Sequence, residues 1–147
     1  MTTPKKKNIL LVDDDADDQL FFLDALKEVN SDVTCDIANN GQEALDALRN
    51  HPIPDLIFLD LNMPVMNGFD CLIEVRKKEE LQNIPVVIFT TTSDLATIRQ
   101  MYELGANAFF KKPNEYSIML SKLNELLNSN HFLNRINSVF SFAEFSI

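Results

Sequence analysis

The stretch DLIFLD, residues 55–60, places four consecutive apolar residues between two aspartates. A strand with one face in water alternates apolar and polar residues, whereas an uninterrupted apolar run is typical of a strand that is covered on both faces. We therefore predict that this stretch forms a central strand of a parallel sheet. Asp60 then marks the point where that strand ends.

Similar short apolar runs lie on both sides of this strand and are separated by segments of helical period. The runs are NILLV (8–12), VTCDIA (33–38), PVVIFT (85–90) and AFF (108–110). Strands that alternate with helices indicate an α/β fold with a parallel sheet. The sequence thus predicts five strands and five helices between residue 8 and about residue 128.

The helices are predicted from apolar spacing and from residues that end helices. Gly105 is a predicted left-handed cap. The predicted helices are a first one that carries Leu20, Leu23 and Leu26 and ends after Val29, a second at 39–50 with Ala44, Leu45 and Leu48 inside, a third from about Phe69, a fourth at 94–105, and a fifth from about Glu115 to Leu127.

Composition limits the class of protein. A chain of 147 residues with 46% hydrophobic and 24% charged residues is expected to fold as one globular domain. Its net charge of -9 argues against a nucleic-acid or anionic-membrane partner. No apolar run is long enough for a membrane span or a signal peptide, and Cys35 and Cys71 lack the spacing of a redox or zinc motif. We therefore expect a cytoplasmic protein.

Polar side chains follow four of the predicted strands at their carboxyl ends. Asp13 and Asp14 follow the first strand and Asp60 the third, while Thr90 and Lys112 follow the fourth and fifth. Because the carboxyl ends of parallel strands lie at one edge of a sheet, we expect these side chains to converge.

The chemistry of these side chains suits a site for a divalent cation and a phosphate. Oxygen ligands without nitrogen or sulfur alternatives suit Mg²⁺, which is completed by water and by phosphate oxygens. Such a cation would offset the repulsion within the acidic stretch ILLVDDDADD, residues 9–18. Lys112 would supply a positive charge for the phosphate and Thr90 a neutral donor. Asp60 remains as a nucleophile that can form an aspartyl-phosphate.

A plainer interpretation applies to part of the acidic stretch. Asp15, Asp17 and Asp18 fit an N-cap and a first helical turn, where carboxylates interact favourably with the helix dipole. This interpretation explains Asp13 and Asp14 poorly, because these two residues directly terminate the strand. We therefore expect the loss of Asp14, but not that of Asp18, to abolish Mg²⁺ dependence.

Four motifs carry a resemblance to a known family. LLVDDD, DLIFLDLNMPVMNG, PVVIFTT and KKP occur in the order and spacing of the receiver domain of two-component response regulators. The resemblance covers about residues 8–128. It implies a flavodoxin-like α/β fold, a doubly wound five-stranded parallel sheet of order 2-1-3-4-5 with helices on both faces.

The resemblance also implies roles for single residues. Asp60 would be the phosphoacceptor, taking its phosphoryl group from the phosphohistidine of a sensor histidine kinase or a histidine phosphotransfer protein. Asp13 and Asp14 would form the acid pair of the Mg²⁺ site, with Asp14 the direct ligand. Asn62 would contribute its backbone carbonyl to the metal.

Further positions match the residues that read out phosphorylation. Thr90 and Phe109 would form the switch that links the phosphoryl group to the face of helix four, strand five and helix five. Thr92 lies where side chains tune dephosphorylation. Lys112 matches the lysine of the family, and its bond to Pro113 is expected to be cis.

The resemblance implies a stand-alone receiver that signals through contacts with a downstream protein and catalyses only its own phosphorylation and dephosphorylation. The apolar C-terminal extension, residues 129–147, is expected to cover either its own domain or a second copy in a homodimer. One alternative is a haloacid-dehalogenase-like phosphatase, which needs a second Asp where Asn62 stands. The other is a protein-binding module that is never phosphorylated.

Overall fold

In the computed structural model, which describes residues 7–50 and 52–128, strands and helices alternate along the chain as predicted. The elements are β1 (Asn8–Val12), α1 (Ala16–Val29), β2 (Thr34–Ala38), α2 (Gly41–Asn50), β3 (Leu56–Leu59), α3 (Gly68–Lys77), β4 (Val86–Thr90), α4 (Leu95–Glu103), β5 (Ala108–Lys111) and α5 (Tyr116–Asn128), with a short 3-10 helix at Glu79–Leu81. The apolar extension at 129–147 lies outside the described residues.

The five strands form one parallel sheet of order β2-β1-β3-β4-β5. Every residue of β3 is buried, which confirms that this continuous apolar run is the central strand. Val12 of β1 lies opposite Leu59 of β3, so the next residues, Asp13 and Asp60, leave the sheet side by side. The flavodoxin-like order is therefore confirmed, and it brings the first and third strand ends together.

The two faces of the sheet carry different cores. On the side of α1 and α5, the rings of Phe22, Phe58, Phe89 and Phe110 pack on one another with centroid distances of 4.9 Å to 6.5 Å. On the side of α2, α3 and α4 the core is mostly aliphatic. Burial of each large apolar side chain contributes about 1.5–3 kcal/mol to the free energy of unfolding. Both cores therefore stabilise the packing of the helices on the sheet.

Helix α1 begins where the sequence predicts, but the residues on its buried face differ from those that the apolar spacing suggested. Asp15 is the N-cap, and its carboxylate accepts a hydrogen bond of 3.0 Å from the Asp18 amide. The buried residues are Phe22, Ala25 and Leu26, whereas Leu20 is 62% exposed. Leu20 precedes Phe22 by two residues, about 200° around the helix, so the two cannot share a face.

Helix α4 ends at the predicted left-handed glycine. Gly105 has φ +100° and donates from its amide to Tyr102 O at 3.1 Å. The Gly105 carbonyl accepts a hydrogen bond of 3.0 Å from Arg76 Nε. A Cβ at Gly105 would be strained by the backbone conformation and would lie 3.3 Å from the same Arg76 atom. The prediction of a glycine cap is therefore confirmed.

The expectation of a cis bond before Pro113 is wrong, because no peptide bond among the described residues is cis. The trans form of a bond to proline is favoured by about 0.5–1 kcal/mol. Lys112 is placed by its backbone amide, which donates to Thr90 O at 2.8 Å. That bond extends the pairing of β4 with β5 and directs the chain to the site without a cis bond.

No helix in the described ranges, 7–50 and 52–128, is long and apolar enough to cross a bilayer.

Candidate metal and phosphoryl-acceptor site

Three aspartates meet at the carboxyl edge of the sheet. The Asp13 amide donates to Ala38 O at 3.0 Å and the Asp60 amide donates to Val12 O at 2.9 Å, so sheet hydrogen bonds fix both backbones. One carboxylate oxygen from each of Asp13, Asp14 and Asp60 lies within 4.8 Å of the others. Asp13 and Asp60 are buried and Asp14 is exposed. The expected convergence of these carboxylates is present.

Lys112 places one ammonium group among these carboxylates. Its Nζ lies 2.8 Å from Asp13 Oδ2 and 3.0 Å from Asp60 Oδ2. It lies 2.8 Å from a third carboxylate oxygen, Asp18 Oδ2, on the first turn of α1. Burial by itself would lower the pKa of Lys112, but the contacts with the Asp13 and Asp18 carboxylates and the charge of Asp60 outweigh burial and raise the pKa. The ammonium is therefore fully charged at neutral pH.

Two buried oxygens in the described part of the chain have no hydrogen-bond partner, and both lie at this edge: Asp13 Oδ2 and Thr90 Oγ1. Asp13 Oδ2 has Lys112 as an ion-pair partner at 2.8 Å, but that contact lacks the alignment of a hydrogen bond. Buried polar atoms of this kind are normally satisfied. A hard divalent cation bound by the three carboxylates would satisfy Asp13 Oδ2. An oxygen of a phosphoryl group would accept a hydrogen bond from Thr90 Oγ1. The residues present therefore fit Mg²⁺.

The Asp60 carboxylate is held by two donors. Its Oδ1 accepts from the Leu61 amide at 2.8 Å, and its Oδ2 accepts from Lys112 Nζ at 3.0 Å. The start of α3 packs directly on this strand end, because the Gly68 amide donates to Leu61 O at 3.0 Å. A Cβ at Gly68 would collide with the Asp60 carbonyl oxygen and lie 2.8 Å from Leu61 Cα. Only glycine lets α3 approach this closely.

Comparison with known proteins agrees with this geometry. Residues 9–124 match the family described as the response regulator receiver domain. The chain belongs to this family. Receiver domains take phosphoryl groups from histidine kinases and are phosphoacceptors rather than conventional enzymes.

Stand-alone regulators are among the relatives of this receiver. Response regulator Rcp1 from Synechocystis sp. is 35% identical over 112 residues, which cover 72% of this chain and 76% of Rcp1. The structure of Mn²⁺-bound Rcp1 has a TM-score of 0.76 at 30% identity and covers 84% of this chain and 93% of that one. The acidic trio of this receiver is typical of a receiver metal site.

A second solved relative is the phosphorylated cyanobacterial phytochrome response regulator RcpA. It has a TM-score of 0.78 at 30% identity, and the match covers 85% of this chain and 96% of that one. Receiver sequence also occurs inside much longer proteins. Hybrid signal transduction histidine kinase M from Dictyostelium discoideum is 32% identical over 123 residues, and this chain spans only 5% of its length.

The remaining predicted positions lie around the edge of the receiver. Thr90 is fully buried at the end of β4, and Phe109 is 5% exposed beneath α4. Thr92 Oγ1 accepts from the Asp94 amide at 3.3 Å in the turn before α4. Asn62 is exposed in the segment that follows β3.

Asp18 is the residue of this site that the sequence analysis missed, since it was assigned only to the acidic first turn of α1. A signal was available. Asp18 precedes the buried Phe22 by four residues, which places both on the same face of the helix. That face points toward the sheet, and its first residue therefore lies near the strand ends.

Removing the buried charge of Asp13 should stabilise the metal-free receiver. Burial raises the pKa of Asp13, and its contacts with Lys112 and the Asp15 amide only partly offset this. In Asp13→Asn, Lys112 keeps two carboxylate partners, so no unpaired charge remains. We expect the free energy of unfolding near neutral pH, measured by urea denaturation with a chelator, to increase by about 1–2 kcal/mol.

The pH dependence of this effect follows from the sign of the shift. A carboxyl group whose pKa is raised in the folded state stabilises the fold fully below its ordinary value of 3.8, and that contribution is lost as the pH rises through the raised pKa. The advantage of Asp13→Asn should therefore shrink as the pH falls toward that value. An advantage that does not change with pH would contradict this explanation.

The loop after β3 holds a strained residue. Val65 has φ +71° and is 84% exposed, and the Met66 amide donates to Pro64 O at 2.9 Å across it. A β-branched residue at positive φ costs about 1–3 kcal/mol, and glycine removes that cost but adds chain entropy to the unfolded state. We expect Val65→Gly to raise the free energy of unfolding by about 1 kcal/mol in urea denaturation. Val65→Ala keeps a Cβ, so its free energy of unfolding should rise by less. A lower free energy of unfolding in Val65→Gly would show that the turn is unstrained.

Proposed function

We propose that Asp60 accepts a phosphoryl group from the phosphohistidine of a sensor histidine kinase or a histidine phosphotransfer protein, in a reaction that depends on Mg²⁺. One observation supports this above others. The Asp60 carboxylate lies within 4.8 Å of two further carboxylates, at a strand end, and 3.0 Å from a buried ammonium. The arrangement combines an anionic nucleophile, a cation site and a fixed positive charge.

In the proposed transfer, one carboxylate oxygen of Asp60 forms a bond to phosphorus while the bond between phosphorus and the donor imidazole nitrogen breaks. The imidazole leaves with the electron pair and takes a proton from solvent. The Leu61 amide and Lys112 hold the carboxylate in place before transfer. Mg²⁺ held by Asp13, Asp14, Asp60 and the Asn62 backbone carbonyl would neutralise charge on the transferring group.

Thr90 and Phe109 support a path by which phosphorylation of Asp60 would change the surface that a downstream protein contacts. The unpartnered Thr90 hydroxyl is a donor for a phosphoryl oxygen. Thr90 ends β4, and Phe109 lies on the adjacent strand, opposite Ile88. A shift of Thr90 toward the phosphoryl group would change the space available to the Phe109 ring, and through it the surface of α4, β5 and α5. We propose that this surface contacts the downstream target.

We further propose that residues 8–128 form the receiver unit and that 129–147 are an extension with a separate role. Its apolar sequence fits coverage of its own receiver or of a second copy in a homodimer. Light scattering on the full chain and on a chain ending at residue 128 distinguishes the two: a mass that halves on truncation supports the homodimer.

The experiment that tests the phosphoacceptor role is incubation of the protein with acetyl phosphate and Mg²⁺, followed by intact mass measurement. We expect a transient adduct of one phosphoryl group that requires Mg²⁺. A haloacid-dehalogenase-like phosphatase would instead turn over p-nitrophenyl phosphate, and Asn62 lacks the acid that this chemistry needs. A module that is never phosphorylated would show neither, and the absence of an adduct at saturating Mg²⁺ contradicts the proposal.

A further inference from the structure

The three carboxylates around Lys112 differ in how accessible they are. The Asp13 side chain is 0% exposed and that of Asp60 is 9% exposed, but the Asp18 side chain is 41% exposed. Asp13 and Asp60 are tied to strand ends by backbone hydrogen bonds, whereas Asp18 belongs to the first turn of α1. Asp18 is therefore the outermost partner of the ammonium.

An ammonium group has three N–H donors, and three carboxylates surround this one. Lys112 donates hydrogen bonds to Asp18 and Asp60, whereas Asp13 makes only an ion-pair contact with it. A phosphoryl group on Asp60 adds anionic oxygens that also need Lys112, and these oxygens compete with Asp18, the one hydrogen-bond acceptor that is not part of the phosphorylated residue. Asp18 can leave at the lowest cost, because water can solvate a carboxylate that is already partly exposed. Asp13, fully buried, has no such replacement.

The space outside Lys112 allows this exchange. An open cleft of about 380 Å³ lies next to the ammonium and is lined by Asp17, Asp18, Phe21, Thr91, Pro113 and Asn114. The Asp18 carboxylate borders this cleft and can rotate into it. The pair between Asp18 and Lys112 thus lies between the open cleft and Asp60.

We propose that Asp18 is a positioning residue that competes with the phosphoryl group for Lys112. In the unphosphorylated receiver it occupies one donor of the ammonium, and a phosphoryl oxygen displaces it when Asp60 is phosphorylated. Asp18 thereby slows formation of the adduct and shortens its lifetime, since its carboxylate is left beside a group of like charge. This inference rests on the proposed phosphoacceptor role of Asp60.

The test compares Asp18→Asn with Asp17→Asn. Both variants remove one negative charge from the first turn of α1, but Asp17 has no ion pair with Lys112 among the described residues. The initial rate of adduct formation is measured against acetyl phosphate concentration at saturating Mg²⁺, and decay is followed after the donor is removed. We expect Asp18→Asn to raise the second-order rate and the lifetime about fivefold, as the loss of a partly exposed ion pair allows. Asp17→Asn should stay within about twofold of the parent chain, and Asp18→Glu should restore the parent behaviour.

A second measurement keeps this inference separate from the proposed function. Beryllium fluoride, a phosphoryl mimic that binds carboxylates without hydrolysis, is titrated into each variant with Mg²⁺ by calorimetry. We expect its affinity to rise about fivefold in Asp18→Asn relative to Asp17→Asn. Equal affinities, slower phosphorylation in Asp18→Asn, or no binding in either variant would overturn the role of Asp18. Failure of the parent chain to form an adduct, by contrast, contradicts the role of Asp60.

Discussion

Asp60→Asn should eliminate the phosphoryl adduct, with a rate at least about a thousandfold below that of the parent chain. The carboxamide is neutral and a poor nucleophile, although it has nearly the same shape as the carboxylate. Its oxygen can still accept the 2.8 Å bond from the Leu61 amide, so the loop after β3 should keep its conformation. The loss of activity would therefore reflect chemistry rather than folding. Intact mass after incubation with acetyl phosphate and Mg²⁺ measures it directly.

Asp55→Asn is a matched control, because Asp55 and Asp60 flank the same strand at opposite ends. The Asp55 carboxylate accepts from the Asn8 amide at 2.8 Å, at the edge remote from the site. This variant should form the adduct at the parent rate. An adduct that persists in Asp60→Asn would show that another carboxylate accepts the phosphoryl group. The exposed Asp14, in the same acidic cluster, would then be the candidate.

Asp14→Asn should weaken Mg²⁺ binding by at least about tenfold and should remove the Mg²⁺ dependence of adduct formation. Asp14 is exposed, so its replacement changes no buried packing. The variant keeps an oxygen ligand but loses the charge that attracts the cation. Calorimetric titration with Mg²⁺ measures the affinity, and the increase in melting temperature at saturating Mg²⁺ gives an independent value.

The neighbouring Asp15 provides the control for this variant. Asp15 is the N-cap of α1, and asparagine is an equally good N-cap. Asp15→Asn therefore removes the same charge one residue further along and preserves the helix start. Mg²⁺ affinities that fall equally in both variants would show that general electrostatics, rather than ligation by Asp14, holds the cation.

The sequence predicted the sheet and most of the site because both depend on local patterns. A continuous apolar run identifies a central strand, and a polar residue after each strand of a parallel sheet must lie at one edge. Asp13, Asp60, Thr90 and Lys112 could be placed on that basis alone.

Other features depend on how helices are rotated and on small backbone energies, which spacing alone does not determine. The apolar spacing of Leu20 suggested a core residue, but Phe22 and Leu26 set the rotation of α1 and leave Leu20 in water. The same rotation brings Asp18 to Lys112. The isomer of the bond before Pro113 depends on an energy difference of about 0.5–1 kcal/mol, so the resemblance at the KKP motif did not determine it.

The unequal distribution of aromatic rings between the two faces of the sheet gives this receiver a built-in spectroscopic label. Leu123 and Leu126 of α5 pack in the cluster that contains Phe22, Phe58, Phe89 and Phe110, so ring currents should shift their methyl resonances away from the usual range. Leu10 and Leu48 lie in the mostly aliphatic cluster on the opposite face, where such shifts should be smaller. A single methyl NMR spectrum should therefore resolve the two faces and show which of them responds when a phosphoryl group is added.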